Sequence, residues 1–310
     1  MATIVVAGSL NMDFVVAVEH LPAPGETILG SGFQTLPGGK GANQACAAGR
    51  LASLDVRTRM IGRVGYDLFG DQLKASLAAA GVDVSSVRAT KSQPTGVALI
   101  WVDRRGQNSI VVAPGANNEL NRTHAESWRT LYRGASYALF QLETPLDAVE
   151  AGLHIARDEK VCTILDPAPA RDLPAGVLEA VDILTPNESE ACLLLGRSAT
   201  AITFDGARQI AGDLLALGPR SIILKLGERG CFYKSATEEI GAPGFEMDAR
   251  DATAAGDTFN GALAVALAEG RPIAAALRFA NAAAAISVTR VGAQASVPSR
   301  DEVDAFLATR

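Results

Sequence analysis

Short apolar runs rich in β-branched residues recur along the chain, and stretches of helical periodicity separate them. "TIVVAG" (3–8), "YALFQL" (137–142), "VCTILD" (161–166), "DILTP" (182–186) and "SIILKL" (221–226) predict strands covered on both faces. Between them, "TPLDAVEAGLHIARDEK" offers Thr144 as N-cap, Pro145 as the first helical residue, and Leu146, Val149, Leu153 and Ala156 on one face. "DLFGDQLKASLAAAG" aligns Phe69, Leu73, Leu77 and Ala80 and stops at Gly81. This alternation predicts an α/β fold, a mostly parallel twisted sheet with helices on both faces.

Two stretches depart from that rhythm. "DFVVAVEHL" and "ETILGSGFQTL" flank "PAPG", and "TGVALIWVDRRGQNSIVV" reads as a hairpin around Arg105 and Gly106. Neither carries a helical pattern. Together they predict a small antiparallel β lid, from about 12–36 and 95–113, on a single domain spanning 1–310. Edge strands of one large mixed sheet are the alternative.

Polar residues collect where such a sheet binds ligands, beyond the carboxyl ends of its strands. Asn11 and Asp13 follow the first strand, Glu143 the second and Asp166 the third; Asn187 and Glu190 follow the fourth, and "LGERG" the last. Each alone is an ordinary turn or cap residue. In succession they point to a crevice. "PGGKGANQACAAGRL" adds a glycine loop before a helix, where Gly38, Gly39 and Gly41 allow close backbone approach and Lys40 and Asn43 supply a charge and an amide. It is neither a Walker A loop nor a dinucleotide fingerprint, which disfavours P-loop NTPases and nicotinamide enzymes.

In "DATAAGDTFNG", small residues precede Asp257 and a long apolar helix. Asp257 could simply cap that helix. Alternatively, Ala254, Ala255 and Gly256 expose backbone amides that suit a phosphate at a helix N-terminus. A carboxylate beside phosphate is repelled, so its presence asks for a chemical role. A hydroxyl held between the acidic rim and those amides supplies one: Asp257 accepts its proton as the oxygen attacks a phosphoryl group.

Composition narrows the field. With 28 Lys and Arg against 34 Asp and Glu, the net charge of -6 argues against a broad nucleic-acid surface. Cys46, Cys162, Cys192 and Cys231 are widely spaced, and with three histidines they make no zinc pattern; they read as buried thiols in a reducing cytoplasm. The start "MATIVVAGSLNMD" lacks the flank and length of a signal peptide or membrane span, so a cytoplasmic location without membrane attachment is expected.

Taken in order, "GSLNMD", "PGGKGANQA", "QLETP", "DPAPARDLP", "LTPNESEA", "LGERG", "AAGDTFNGA" and "RFANAAAAISVTRVGAQASVP" resemble the ribokinase-type family of carbohydrate kinases over essentially the whole chain. The resemblance implies an α/β core with a β lid and ATP-dependent phosphorylation of a sugar hydroxymethyl group, with D-ribose at O5 the implied substrate. It further implies Mg²⁺ dependence, activation by K⁺, and a homodimer formed through the lid. Position by position it assigns Asn11, Asp13, Gly39, Lys40, Asn43 and Glu143 to the sugar, and Asp257 to the catalytic base above the amides of Ala254, Ala255 and Gly256. Asn187 and Glu190 match an N-x-x-E element associated with Mg²⁺ through water. Lys225, Leu226, Gly227, Glu228, Arg229 and Gly230, with Gly256 and Asn281, would flank the nucleotide. The monovalent cation would take the Asp251 carboxylate, backbone oxygens of Thr253, Ser287, Arg290 and Gly292, and Ser296. Ala252 stands where the family usually has Thr, which bears on the rigidity of the cation loop, and Met12 separates Asn11 from Asp13 without disturbing either. Kinases of other sugars, such as 2-deoxyribose, and a non-catalytic sugar-binding protein on the same scaffold are the alternatives; a binding protein has no use for a carboxylate facing a phosphate site.

Overall fold

A computed structural model describes residues 1–198 and 202–310. Among the described residues, thirteen strands form two sheets. β1 (Ala2–Ala7) opens the main sheet, and β2 (Asn11–Ala17) and β3 (Ser31–Gly38) leave it. β4 (Val56–Gly65) and β5 (Val82–Thr90) return to it, and β6 (Gly96–Val102) and β7 (Asn108–Ala113) leave again. β8 (Tyr137–Phe140), β9 (Cys162–Leu165), β10 (Ile183–Leu184), β11 (Ser221–Lys225), β12 (Gly230–Ser235) and β13 (Glu239–Pro243) complete the main sheet. Its order is β13-β12-β11-β10-β9-β8-β1-β4-β5. The seven strands from β11 to β5 are parallel, and β12 and β13 add an antiparallel edge.

Alternation within β1 shows why both faces are covered. Ile4 and Val6 join one buried apolar cluster, with Leu263, Leu277 and Phe279. Val5 joins the other, with Leu153 and Leu214. A strand whose consecutive residues Ile4, Val5 and Val6 are all apolar therefore needs helices on both sides. Helices Lys40–Leu51, Leu68–Ala79, Ala255–Ala268 and Ile273–Ser287 contribute to the first cluster; Leu146–Asp158 and Phe204–Leu215 contribute to the second.

β2, β3, β6 and β7 form the separate small sheet, ordered β3-β2-β6-β7. Its outer pairings are antiparallel, while β2 and β6 run parallel, because the chain returns to the main sheet between them. Helix ends show two differences from the periodicity. Pro145, not Thr144, holds the N-cap position, and Leu146 opens the helix. Asp257 is the third residue of its helix, whose N-cap is Ala254. Gly81 sits one residue past the cap of Leu68–Ala79 with a φ of 81°, as its sequence position suggested. No described helix is long and apolar enough to cross a membrane.

Candidate active site

Two helix N-termini meet at the carboxyl edge of the main sheet, and close packing brings them together. A Cβ added at Gly261 would lie 2.6 Å from Ala47 Cβ and 2.7 Å from the Gln44 carbonyl oxygen. Without a side chain there, helix Ala255–Ala268 lies against Lys40–Leu51 closely enough for amides of the second to reach a carboxylate of the first. Asn43 Nδ2 donates to Asp257 Oδ2 at 3.1 Å, and Gln44 Nε2 donates to Asp257 Oδ1 at 3.0 Å.

The glycine loop sets the start of helix Lys40–Leu51. Gly39 adopts a φ of 89°, a left-handed conformation, and its missing Cβ would fall 2.7 Å from the Asn11 amide nitrogen. The amide of Lys40 then donates to Glu143 Oε2 at 3.0 Å, so a carboxylate occupies the positive end of the helix. Ser9 Oγ also donates to that oxygen at 2.6 Å, and Asn11 Nδ2 approaches it at 3.4 Å. Asn117 holds the linker after β1 in place: it exchanges two hydrogen bonds with the Leu10 backbone and donates to Asn11 Oδ1 at 2.8 Å.

The electrostatics follow from packing five carboxylates, Asp13, Glu143, Asp166, Glu190 and Asp257, near the Lys40 ammonium. Burial pushes Asp257 up to about 6; Asp166 adds to the rise, while Lys40, Gln44 and Asn43 oppose it. Burial also raises Asp13, to about 7, reinforced by Glu143 and Asp257. For Lys40, burial favours the neutral amine, but Asp257, Asp166, Glu143 and Glu190 outweigh it and the ammonium is held above its ordinary range. The rim is thus poised to give up or take a proton near neutrality.

Beyond Asp257, helix Ala255–Ala268 opens onto a cavity of about 660 Å³. Ala254 turns the chain with a φ of 57°, and the first helical hydrogen bond runs from Thr258 to the Ala254 carbonyl. The Gly256 and Asp257 amides find no backbone or side-chain partner among the described residues. Lys40, Asp166, Asn187, Glu190, Lys225 and Gly227 line the same cavity. A second, mostly apolar cavity of about 340 Å³ shares Lys225, Gly227, Ala255 and Gly256, and continues past Phe245, Met247 and Asn281.

The sequence-derived candidates divide clearly. Asn43 and Asp257 meet directly, as do Asn11, Glu143 and the Lys40 amide. Asp13 lies close enough to Glu143 and Asp257 to be raised by both. Lys225, Gly227 and Gly256 line both cavities; Glu228, Gly230 and Asn281 line the apolar one. Leu226 and Arg229 do neither: Leu226 is core, and Arg229 pairs with Glu188 at 2.7 Å. Glu190 faces the cavity but spends both oxygens on Asn187, accepting from its backbone and side-chain nitrogens at 2.8 Å each. Asp251 ties two loops together, accepting from the Thr253 amide at 2.9 Å and the Gly292 amide at 2.8 Å. Ser287 and Ser296 donate to Ala284 and Ala293 carbonyls, and Arg290 pairs with Glu302. Gln44, Gln141, Ser9 and Asn117 were missed. Gln44 sits inside the quoted glycine-loop motif, and Gln141 directly before Glu143's turn, but nothing in either context distinguishes a buried amide from a helix or strand residue. Asp166 was legible as one of the polar residues that follow the strands at the crevice; its partner Lys225, at 2.8 Å, lies 59 positions away.

The pfkB family carbohydrate kinase model matches residues 1–300. The chain belongs to this family. As a pfkB family member it is an ATP-dependent sugar kinase. Curated pfkB-type relatives include the ribokinase of Schizosaccharomyces pombe, 40% identical over 309 residues, covering 98% of this chain and 97% of that one. The ribokinase of Bacillus subtilis is 40% identical over 307 residues, with 99% and 100% covered. Among solved structures, the ribokinase of Arabidopsis thaliana complexed with ribose and ATP superposes with a TM-score of 0.91 at 35% identity, covering 99% of each chain.

Proposed function

We propose that this kinase phosphorylates D-ribose at O5, producing ribose 5-phosphate and ADP. The observation that carries the reading is Asp257, a carboxylate only 5% exposed, held by two amides at the head of a helix whose Gly256 and Asp257 N–H groups, without a partner among the described residues, lie beside an open cavity. O5 attacks the γ-phosphorus, the bond from that phosphorus to the bridging oxygen of ADP breaks, and the hydroxyl proton passes to Asp257. Negative charge gathering on the phosphoryl oxygens is met by the Gly256 and Asp257 amides and the Lys40 ammonium.

Sugar hydroxyls are both donors and acceptors, and the rim offers both kinds of partner. Asn43 Oδ1 is buried without a hydrogen-bond partner among the described residues, an acceptor that a sugar hydroxyl would satisfy. Asp13 and Glu143 add carboxylate acceptors, and Asn11 adds an amide. ATP would lie along the two joined cavities, with its base against the apolar stretch past Asn281 and its phosphates toward Lys225 and Lys40.

No group of three or more His, Cys, Asp or Glu among the described residues forms a metal cage. That suits a Mg²⁺ ion arriving on the nucleotide phosphates and meeting Glu190 through water, since Mg²⁺ keeps most of its water shell. It would neutralise phosphate charge. A K⁺ ion would sit at the Asp251 loop, where the carboxylate already joins the turn that leads into Ala254 to the segment at Gly292. Its oxygen donors would be Asp251, Ser296 and the carbonyls of Thr253, Ser287, Arg290 and Gly292. Such an ion would act on the anion site by stiffening this loop. The small sheet would close over the sugar and pair two chains through exposed Phe33, Leu99, Ile110, Val111 and Val112.

Coupled ADP release measured over D-ribose, 2-deoxyribose, fructose and a nucleoside, with and without K⁺, tests the reading. D-ribose should give the highest kcat/KM, its product should carry phosphate on O5, and replacing K⁺ by a bulky organic cation should slow turnover. A different preferred sugar would overturn the substrate assignment. Equal rates in both cations would overturn the K⁺ site.

A further inference from the structure

Gln44 belongs to no part of the crevice described so far as substrate-binding, yet it touches both carboxylates on which the crevice depends. Its Nε2 donates to Asp257 Oδ1 and to Asp166 Oδ2, each at 3.0 Å, which uses both of its hydrogens. Its Oε1 accepts from Gln141 Nε2 at 2.7 Å. All three side-chain bonds are buried, and Gln44 is 1% exposed. The amide cannot turn over: a flip would face Oε1 toward two carboxylates and Nε2 toward the Gln141 donor. Gln141 in turn is admitted only because residue 8 is glycine, whose added Cβ would lie 2.0 Å from Gln141 Oε1. On the far side, Asp166 Oδ1 accepts from Lys225 Nζ at 2.8 Å, and Lys225 lines both cavities.

We infer that Gln44, oriented by Gln141, is a positioning residue that holds Asp257 in its ionised, aimed form and ties it to the Asp166–Lys225 pair on the nucleotide side. This rests on Asp257 acting as the base. The physical reason is that Asp166 and Asp257 repel each other in a poorly solvated interior, and an amide donating one hydrogen to each is a neutral bridge that lowers the energy of both anions. The other charges facing Asp257 are Lys40 from its helix, Asp13 from β2 and Asp166 after β9. Lys40 favours the anion and the two carboxylates oppose it. Removing Gln44 therefore subtracts a donor from a site already short of them.

The test uses Gln44→Met, which keeps the side-chain volume and removes the amide, assayed across pH 5 to 9 with D-ribose and ATP. The expected result is a kcat lower by about 10- to 100-fold, the loss typical of a hydrogen bond to a buried charge. The acid limb of kcat, measured with sugar bound, should move up by about one pH unit, and KM for ribose should stay within a few-fold. Should Gln44→Met fail to fold, Gln141→Met serves instead: it removes the donor that anchors Gln44 Oε1, loosening the amide, and should move the acid limb in the same direction by a smaller amount. A folded variant with an unmoved acid limb overturns the inference. If Asp257→Asn abolishes turnover while Gln44→Met leaves the limb in place, only the Gln44 role fails; if Asp257→Asn is itself nearly silent, the base assignment falls and this inference with it.

Discussion

Replacing Asp257 by Asn separates two properties that the crevice forces into opposition. The carboxyl is nearly fully buried, and burial raises it from 3.8 to about 6. A folded-state value above the unfolded one means the native protein binds the proton more tightly, so this group's contribution to stability is greatest below pH 3.8 and is lost as pH rises through about 6. At pH 8 the ionised carboxylate therefore costs the fold about 3 kcal/mol, at 1.36 kcal/mol for each pH unit of displacement. Asn removes that cost but presents one N–H where the structure needs an acceptor, leaving either Asn43 or Gln44 a mismatched partner at about 1 to 3 kcal/mol. The two nearly cancel, so melting at pH 8 should hold or rise slightly. Catalysis has no such compensation. An amide cannot take the O5 proton, and kcat should fall by roughly 10²- to 10⁴-fold. In the wild type, kcat/KM should drop as pH falls through 7 and 6, where Asp13 and then Asp257 take up protons. In the variant the Asp257 part of that limb disappears, and the Asp13 part moves to lower pH because one of the charges that raised it is gone. The assay is ADP release from pH 5 to 9 beside thermal melting of both proteins. Turnover within a few-fold of wild type, or an acid limb unchanged in the variant, refutes the argument.

Ala254 holds a φ of 57° at the head of the same helix, a left-handed conformation that costs an L-residue about 1 kcal/mol or more. Ala254→Gly should leave the melting temperature unchanged or raise it slightly, while Ala254→Val, β-branched, should lower stability by about 2 kcal/mol; equal losses in both would show that the backbone there is not strained. Sedimentation at micromolar concentration should give the mass of two chains, and Val111→Glu, which places a charge on the exposed face of the small sheet, should give one. A single-chain mass for the wild type removes the proposed dimer.

The chain's own pattern determined the layers. Apolar runs without alternation must be covered on both faces, and helices with one apolar stripe cover them, so the parallel sheet was legible from periodicity alone. The two strand-rich stretches stood apart for the same reason, and the structure places them in their own sheet at 11–17, 31–38, 96–102 and 108–113. The polar residues after each strand were also legible, because position relative to a strand end is a local property. Helix ends were less so: Pro145 and Ala254 cap their helices by backbone conformation rather than by a side chain, and nothing in the residue type announces it.

What only the tertiary structure decided is which polar groups share their charge and hydrogen bonds. Asp166 meets Lys225, Gln141 meets Gln44, and Gln44 meets Asp257 across separations of 59, 97 and 213 residues. Leu226 and Arg229 sit inside a cavity-lining segment yet point elsewhere, because the tight turn at Gly227–Arg229 sends successive side chains in different directions, Leu226 into the core and Arg229 to Glu188. Burial and long-range approach set a carboxylate's proton affinity, and both arise only when Gly261 lets one helix lie against another. Periodicity records which way a residue faces; it carries no information about what waits on the other side.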